Sequence, residues 1–418
     1  MTMLIHSASQ LLTIAGPPQR GRMLGKLGII QNGAVVIRGE TITAVGESRS
    51  LLKEYPDEPR FDANGCVVMP GLVDPHTHLP WVGDRANEFE MRLMGKSYIE
   101  IMTAGGGINS TVTTTRQASD TQLLEESRQR ALSIFKHGTT TAEAKTGYGL
   151  TLESEMRLLQ VLMTLNQEGP LELIPTFMGA HATPLEYDGR PDDYVNLISN
   201  NMLPKLAEWW KTDHLEKSLP FVDVFCDQGA FTVAQTESIF KAASELGFPL
   251  KIHADEFENL GGTRLAISFG ATSADHLVKT NPQDILALAA SGTVAVSLPC
   301  TPFGLAQQEY SPAREILAAD GLFALASDLN PGTAWCGNMQ FVIALACRYM
   351  KLTPAQAIAA ATINAAAAIK KSGDIGSLEI GKQADLLVLD VDDYRQLAYR
   401  FGVNLVRHVI KKGRVHPI

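Results

Sequence analysis

The chain has 418 residues, 45% hydrophobic and 19% charged, with 36 Lys and Arg against 45 Asp and Glu for a formal charge of −9. That length exceeds what a single core sustains, so one large domain and a smaller one are expected. The negative balance leaves no basic stripe for nucleic acid or an anionic membrane, and an anionic substrate has to be caught by a local Arg or Lys. Five cysteines (Cys66, Cys226, Cys300, Cys336, Cys347) are odd in number and far apart, with no C-x-x-C, which reads as reduced thiols in a cytoplasmic protein. The first fifteen residues carry no Lys or Arg ahead of their apolar stretch, so no signal peptide is expected.

Residues 1–65 read as short strands. Leu11–Ala15, Gly28–Ile30, Ala34–Ile37 and Thr41–Val45 are β-branched runs separated by Gly and Asn. The end of the chain, 375–418, repeats this style, as in Ala384–Leu389 and Val403–Ile410. Neither end has enough apolar surface for a sheet of its own, so the two are expected to meet in one small β-sandwich with residues 66–374 inserted between them. In that insert apolar strands alternate with helical stretches, the pattern of parallel βα units. Eight strand candidates stand out: Cys66–His78, Thr139–Lys145, Leu171–His181, Phe221–Cys226, Leu250–Ala254, Thr272–Leu277, Thr293–Leu298 and Phe323–Ser327. Amphipathic segments such as Thr121–Lys136, Leu152–Asn166, Val233–Leu246 and Pro282–Ala290 lie between them. The fold class is therefore α/β, a (β/α)8 TIM-like barrel with its site at the C-terminal ends of the strands. An open doubly wound sheet is the alternative, weakened by the lack of a G-x-G-x-x-G after the first strand. The Ala-rich run Ala355–Ile369 is too short for a membrane span, and Thr353-Pro354 ahead of it marks the start of a packed helix.

The chemistry concentrates at the strand ends. Pro70-Gly71-Leu72-Val73-Asp74-Pro75-His76-Thr77-His78 closes the first apolar run with two histidines spaced i, i+2, which a strand turns to one face. A bare H-x-H is more often a pair of polar loop residues. Here, however, His181, His253 with Glu256 three residues on, Asp275-His276 and Asp328 follow four other apolar strands. Packing does not account for so many polar groups at strand ends, because unpaired buried polar groups are costly. Two histidines from one strand, a third from another and an Asp from the last suit a borderline ion such as Zn or Fe. Such an ion lowers the pKa of a bound water to about 7, and Glu256, His276 and Asp328 are the candidates to take and return protons.

The 70–78 stretch, together with Gly381-Lys382-Gln383-Ala384-Asp385-Leu386, resembles the amidohydrolase superfamily. Three further stretches, His78–Arg85, Lys145–Leu150 and His253–Glu256, with Asp328–Thr333, resemble its imidazolonepropionase family across essentially the whole chain. The resemblance implies hydrolytic opening of 4-imidazolone-5-propanoate to N-formimidoyl-L-glutamate. It also implies His76, His78, His253 and Asp328 as ligands of one divalent or trivalent metal ion per subunit. A two-metal relative would bridge its ions with a modified Lys at the end of the fourth strand, whereas here that strand ends Phe225-Cys226-Asp227-Gln228. Arg85, Tyr98, Tyr148, His181, Glu256, Asn330, Gly332 and Thr333 match the substrate-contacting set, Arg85 being suited to grip the propionate bidentately. Glu256, His276 and Asp328 are the acid–base set, and a homodimer is implied at family level. Two rivals are another cyclic amidase or deaminase of the superfamily, and a scaffold that kept the barrel without catalysis; the intact ligand set speaks against the second.

Overall fold

The structure, a computed structural model, describes residues 2–96, 100, 106–214 and 217–418. One of its two sheets is made of eight parallel strands: β6 (Leu72–Thr77), β7 (Thr139–Lys145), β8 (Glu172–Ala180), β9 (Phe221–Cys226), β10 (Leu250–Ala254), β11 (Ser273–His276), β12 (Val294–Ser297) and β13 (Phe323–Leu325). They lie side by side in chain order. These strands are buried on both faces, as parallel strands wrapped by helices must be. The helices between them start at side-chain caps: Ser119 accepts from the Gln122 amide, Thr151 from Ser154, Thr232 from Gln235 and Asn281 from Asp284. Beyond β13 the chain turns back onto β6. The Asp328 amide donates to the His76 carbonyl at 3.1 Å and the His78 amide to the Leu329 carbonyl at 2.8 Å. These bonds join the two ends of the sheet and bring Asp328 beside His76 and His78.

The second sheet is mixed and uses both ends of the chain. Its order is β16 (Arg414–Pro417), β15 (Val406–Lys411), β14 (Leu386–Leu389), β5 (Val67–Pro70), β1 (Thr2–Leu12), β2 (Ile29–Arg38) and β3 (Thr41–Glu47), with β4 (Arg60–Asp62) on β1. One face packs Met3, Ile5, Val35, Ile37, Leu386 and Ile410; the other packs Leu4, Val36 and Ala44 against Leu51 of the helix Ser48–Glu54.

Two elements differ from expectation. The run Cys66–His78, read as one strand, is two. The Gly71 amide bonds to Asp385 in the mixed sheet and the next amide, Leu72, to Gly138 in the barrel. A Cβ at 71 would overlap the Thr140 side chain, so the crossing point has to be glycine. The Ala-rich stretch forms two helices, Pro354–Ala360 and Ile363–Ala367. Thr362 interrupts them, its hydroxyl bonding back to the Ile358 carbonyl while the Ala361 carbonyl accepts the Val73 amide of β6. Among the described residues no helix is long and apolar enough to cross a membrane.

Candidate metal centre and substrate pocket

His76 and His78 stand at the end of β6, His253 in β10 and Asp328 just past β13, all buried. His76 Nε2 and His78 Nε2 each lie 3.5 Å from Asp328 Oδ1. His78 Nε2 and His253 Nε2 face each other at 3.3 Å. Two outer carboxylates set this geometry: Asp275 Oδ2 holds His76 Nδ1 at 2.6 Å and Asp223 Oδ1 holds His253 Nδ1 at 2.9 Å. A proton fixed on each Nδ1 leaves the Nε2 lone pairs turned inward. Burial lowers His76 and His78 well below the usual imidazole range, so both are neutral, the form that binds a cation. His76 Nε2 is buried without a hydrogen-bond partner, and two sets of donors converge within ion-binding reach, His76 and His78 with Asp328, and His76 and His253 with His276. The residues fit a metal ion: three imidazoles and a carboxylate are the donor set of Zn or Fe.

Backbone strain collects at the same place. Asp328 has φ 57°, and His276 and Leu277 have φ 80° and 61°. Left-handed non-glycine residues cost energy and cluster at functional sites. At Asp328 the turn sets Oδ1 beside His76 and His78, while Thr301 donates to Oδ2. Burial raises this carboxyl to about 6.

His276 Nδ1 lies 3.6 Å from Glu256 Oε2, and His276 Nε2 is buried without a partner. Burial, then the nearby Asp328 and Asp227 charges, raise the Glu256 carboxyl well above its ordinary range. Asp227 pins the Glu256 loop: its two oxygens accept the amides of Glu256, Phe257 and Glu258 at 2.7, 3.1 and 3.0 Å. On the other side His181 stacks on His78, ring centres 4.9 Å apart, and its Nδ1 lies 3.0 Å from the Gly147 carbonyl. Its pKa falls to about 3 through burial. Tyr148 packs edge-on to His181 at 5.2 Å. The loop carrying it hangs on Glu155, whose carboxylate accepts the amides of Gly147, Gly149 and Leu150.

Arg85 donates to Glu88 at 2.7 Å and keeps its Nε buried and unpartnered. Its guanidinium lies against Gly332, where a Cβ would meet Arg85 Cζ at 2.9 Å, so glycine is required for this approach. Arg92 holds the Gly332 carbonyl at 3.0 Å from the same helix, Ala86–Leu93. The Asn330 side chain works inside its own loop: Oδ1 accepts the amides of Gly332 and Thr333 at 2.8 Å, and Nδ2 donates to the Asp328 carbonyl at 2.7 Å and to Thr333 Oγ1. Tyr98 lies outside the described residues. The sequence reading passed over Asp223, Glu155, Asp227 and Glu88. The available signal was charge inside apolar strands, as in Phe221-Val222-Asp223-Val224 and Thr141-Ala142-Glu143-Ala144-Lys145.

A family model described as the amidohydrolase family matches residues 67–416, and one described as an imidazolonepropionase-like composite domain of bacteria matches 33–57. The chain is 48% identical over 412 residues to an imidazolonepropionase of Herpetosiphon aurantiacus, covering 99% of this chain and 96% of that one. It is 47% identical to an imidazolonepropionase of Chloroflexus aggregans, covering 99% and 98%. Among solved structures, a triazine hydrolase variant superposes with a TM-score of 0.78 at 16% identity, covering 100% of this chain and 96% of the other. An adenosine deaminase from Xanthomonas campestris with bound zinc gives 0.72 at 18%, covering 100% and 93%. The structural likeness carries the fold; the identity along the full length carries the family, and the chain belongs to the amidohydrolases and, within them, to the imidazolonepropionase family.

Proposed function

We propose that this protein hydrolyses 4-imidazolone-5-propanoate to N-formimidoyl-L-glutamate in histidine degradation, with His76, His78, His253 and Asp328 holding a single Zn or Fe ion. One observation favours this substrate over a neutral ring: the half-buried guanidinium of Arg85 rests on Gly332, in the loop that begins at Asp328. A carboxylate on the substrate and the reacting carbonyl are thereby addressed from one loop. Arg85 Nε is a free donor in buried surroundings, and Glu88 fixes the guanidinium plane.

When bound, the ion acidifies a water and polarises the ring carbonyl. The rest of the reaction falls to the side chains. Arg85 binds the propionate and Tyr148 and His181 wall the ring, so the amide carbon lies over the donor cluster. His276 Nε2, the unpartnered donor, stabilises the oxyanion that forms as water oxygen bonds to that carbon. Glu256 takes the proton from water and delivers it to the ring nitrogen as the C–N bond breaks. The nitrogen leaves as the amidine and the carbonyl carbon becomes a carboxylate. Burial and the nearby Asp328 and Asp227 carboxylates make this carboxyl hold a proton more readily than a solvated one, which suits its delivery to the ring nitrogen. Asn330 keeps Gly332 and Thr333 in place, with Gly332 under the Arg85 guanidinium.

The test is to follow loss of ring absorbance when the metal-loaded protein is mixed with 4-imidazolone-5-propanoate, with hydantoins and aminopurines as competitors and with a chelator as control. Turnover of the imidazolone alone, abolished by chelator and restored by Zn or Fe, is expected. Preference for an aminopurine, or full turnover by metal-free protein, would sink the reading.

A further inference from the structure

Below the four metal donors the barrel interior is ionic. Interior positions of such barrels are ordinarily filled by branched apolar side chains. Here Glu143 and Lys145 of β7, Asp223 of β9, Lys251 of β10 and Asp275 of β11 fill them, all fully buried. Lys145 Nζ lies 2.6 Å from Glu143 Oε1, 2.7 Å from Asp223 Oδ2 and 3.9 Å from Asp275 Oδ2. Lys251 Nζ donates to the Pro75 carbonyl at 2.6 Å and lies 3.5 Å from Asp275 Oδ2 and 3.8 Å from Glu143 Oε1. Thr176 donates to Glu143 as well.

Burying that many charges costs several kcal/mol per ion, and well-packed apolar residues often serve stability as well or better. Stability alone therefore does not explain the layer. Its connections upward do. Asp223 and Asp275 are the two carboxylates that hold the Nδ1 atoms of His253 and His76, and Lys145 is the cation within reach of both.

We propose that Lys145 is a positioning residue for the metal centre: its ammonium fixes the two carboxylates that turn His76 and His253, from strands on different sides of the barrel, toward one point. Lys251 supports it from below by tying Asp275 to the backbone one residue before His76. The inference rests on the metal assignment under Proposed function and adds to it a residue that touches neither metal nor substrate.

The test uses the full chain stripped of metal. Lys145→Met removes the cation and leaves three carboxylates facing one ammonium, so it can fail to fold. Lys145→Met/Glu143→Gln removes charge in a balanced pair and leaves both histidine-holding carboxylates in place. Thermal melting of the metal-free protein reports the fold, competition with a chromophoric chelator reports Zn2+ affinity, and the visible spectrum of the Co2+-loaded protein reports donor geometry. The double variant is expected to melt near the wild type, to bind Zn2+ about 10- to 100-fold more weakly, the usual cost of losing an outer partner of a metal ligand, and to show an altered Co2+ spectrum. Wild-type affinity with an unchanged spectrum overturns the proposal. So does failure of the double variant to fold, which would assign Lys145 to barrel packing. A wild-type chain that binds no Zn2+ overturns the metal reading itself, an outcome that the chelator competition on the wild type separates from the others.

Discussion

In the proposed reaction Glu256 carries two duties at one carbon, and the structure separates its backbone from its carboxyl. Asp227 holds the main chain of residues 256–258, so Glu256→Gln keeps the loop and removes only the proton carrier. General acid–base assistance contributes about 10²- to 10⁴-fold. The variant is therefore expected to lose about that much kcat with KM little changed; turnover within threefold of wild type would remove Glu256 from the shuttle. Gly332 makes the complementary case for binding. A methyl group there drives the Arg85 guanidinium off its seat, and hydrogen bonds to a charged group are worth about 1.5–3 kcal/mol. Gly332→Ala is expected to cost roughly 10- to 100-fold in kcat/KM for the anionic substrate and much less for its propionamide analogue; an equal loss on both would place Arg85 away from the carboxylate. At this scale the sequence was legible where side chains act alone. His76, His78, His253 and Asp328, which the structure brings together, stood out because each lies at the end of an apolar strand. Asn330 could not be understood from sequence, since its work is to hold two amides of its own loop.

The element that presents Tyr148 owes its shape to one carboxylate. Glu155, in the first turn of the helix Leu152–Glu168, accepts the amides of Gly147, Gly149 and Leu150, while Gly147 at φ 103° makes room for His181. Burial raises this carboxyl, with the amides opposing that shift. Glu155→Gln keeps the size but places an NH2 group where one oxygen accepted an amide. Leaving a buried donor unmatched costs about 1–3 kcal/mol. The expected result is a lowered Tm together with a raised KM, because Tyr148 and the Gly147 carbonyl under His181 move as one. A lowered Tm with unchanged KM would detach the loop from the pocket. Strand order and helix positions were readable from apolar runs and caps, because parallel strands are apolar on both faces. The division at Gly71 was not, because each of two adjacent amides finds its partner in a segment remote in sequence, Asp385 and Gly138. The break at Thr362 has the same origin: the Val73 amide of β6 takes a carbonyl that a continuous helix would have kept.

The two sheets meet through charge as well as through the chain at Gly71. Lys411, at the end of β15, reaches Asp385 at 2.7 Å and Glu172, the first residue of β8, at 2.9 Å, and Gln383 donates to the same Glu172 oxygen at 3.1 Å. Burial by itself would raise the Glu172 carboxyl, but Lys411 outweighs it and holds the group down at about 2, against an ordinary 4.5. The sign follows from linkage. A carboxyl depressed in the folded state binds its proton more readily when unfolded, so the stability it contributes is fully present above pH 4.5 and is lost as pH falls through 2. Since Glu172 belongs to the barrel and Lys411 to the mixed sheet, that loss is a loosening of one sheet from the other. Many carboxylates titrate in this range, so the test is a difference. The gap in Tm between the wild type and Glu172→Gln, measured in steps from pH 7 down to pH 2, should stay level above pH 5 and close as pH nears 2. A gap that does not narrow would mean that the contact acts through shape and hydrogen bonding rather than charge.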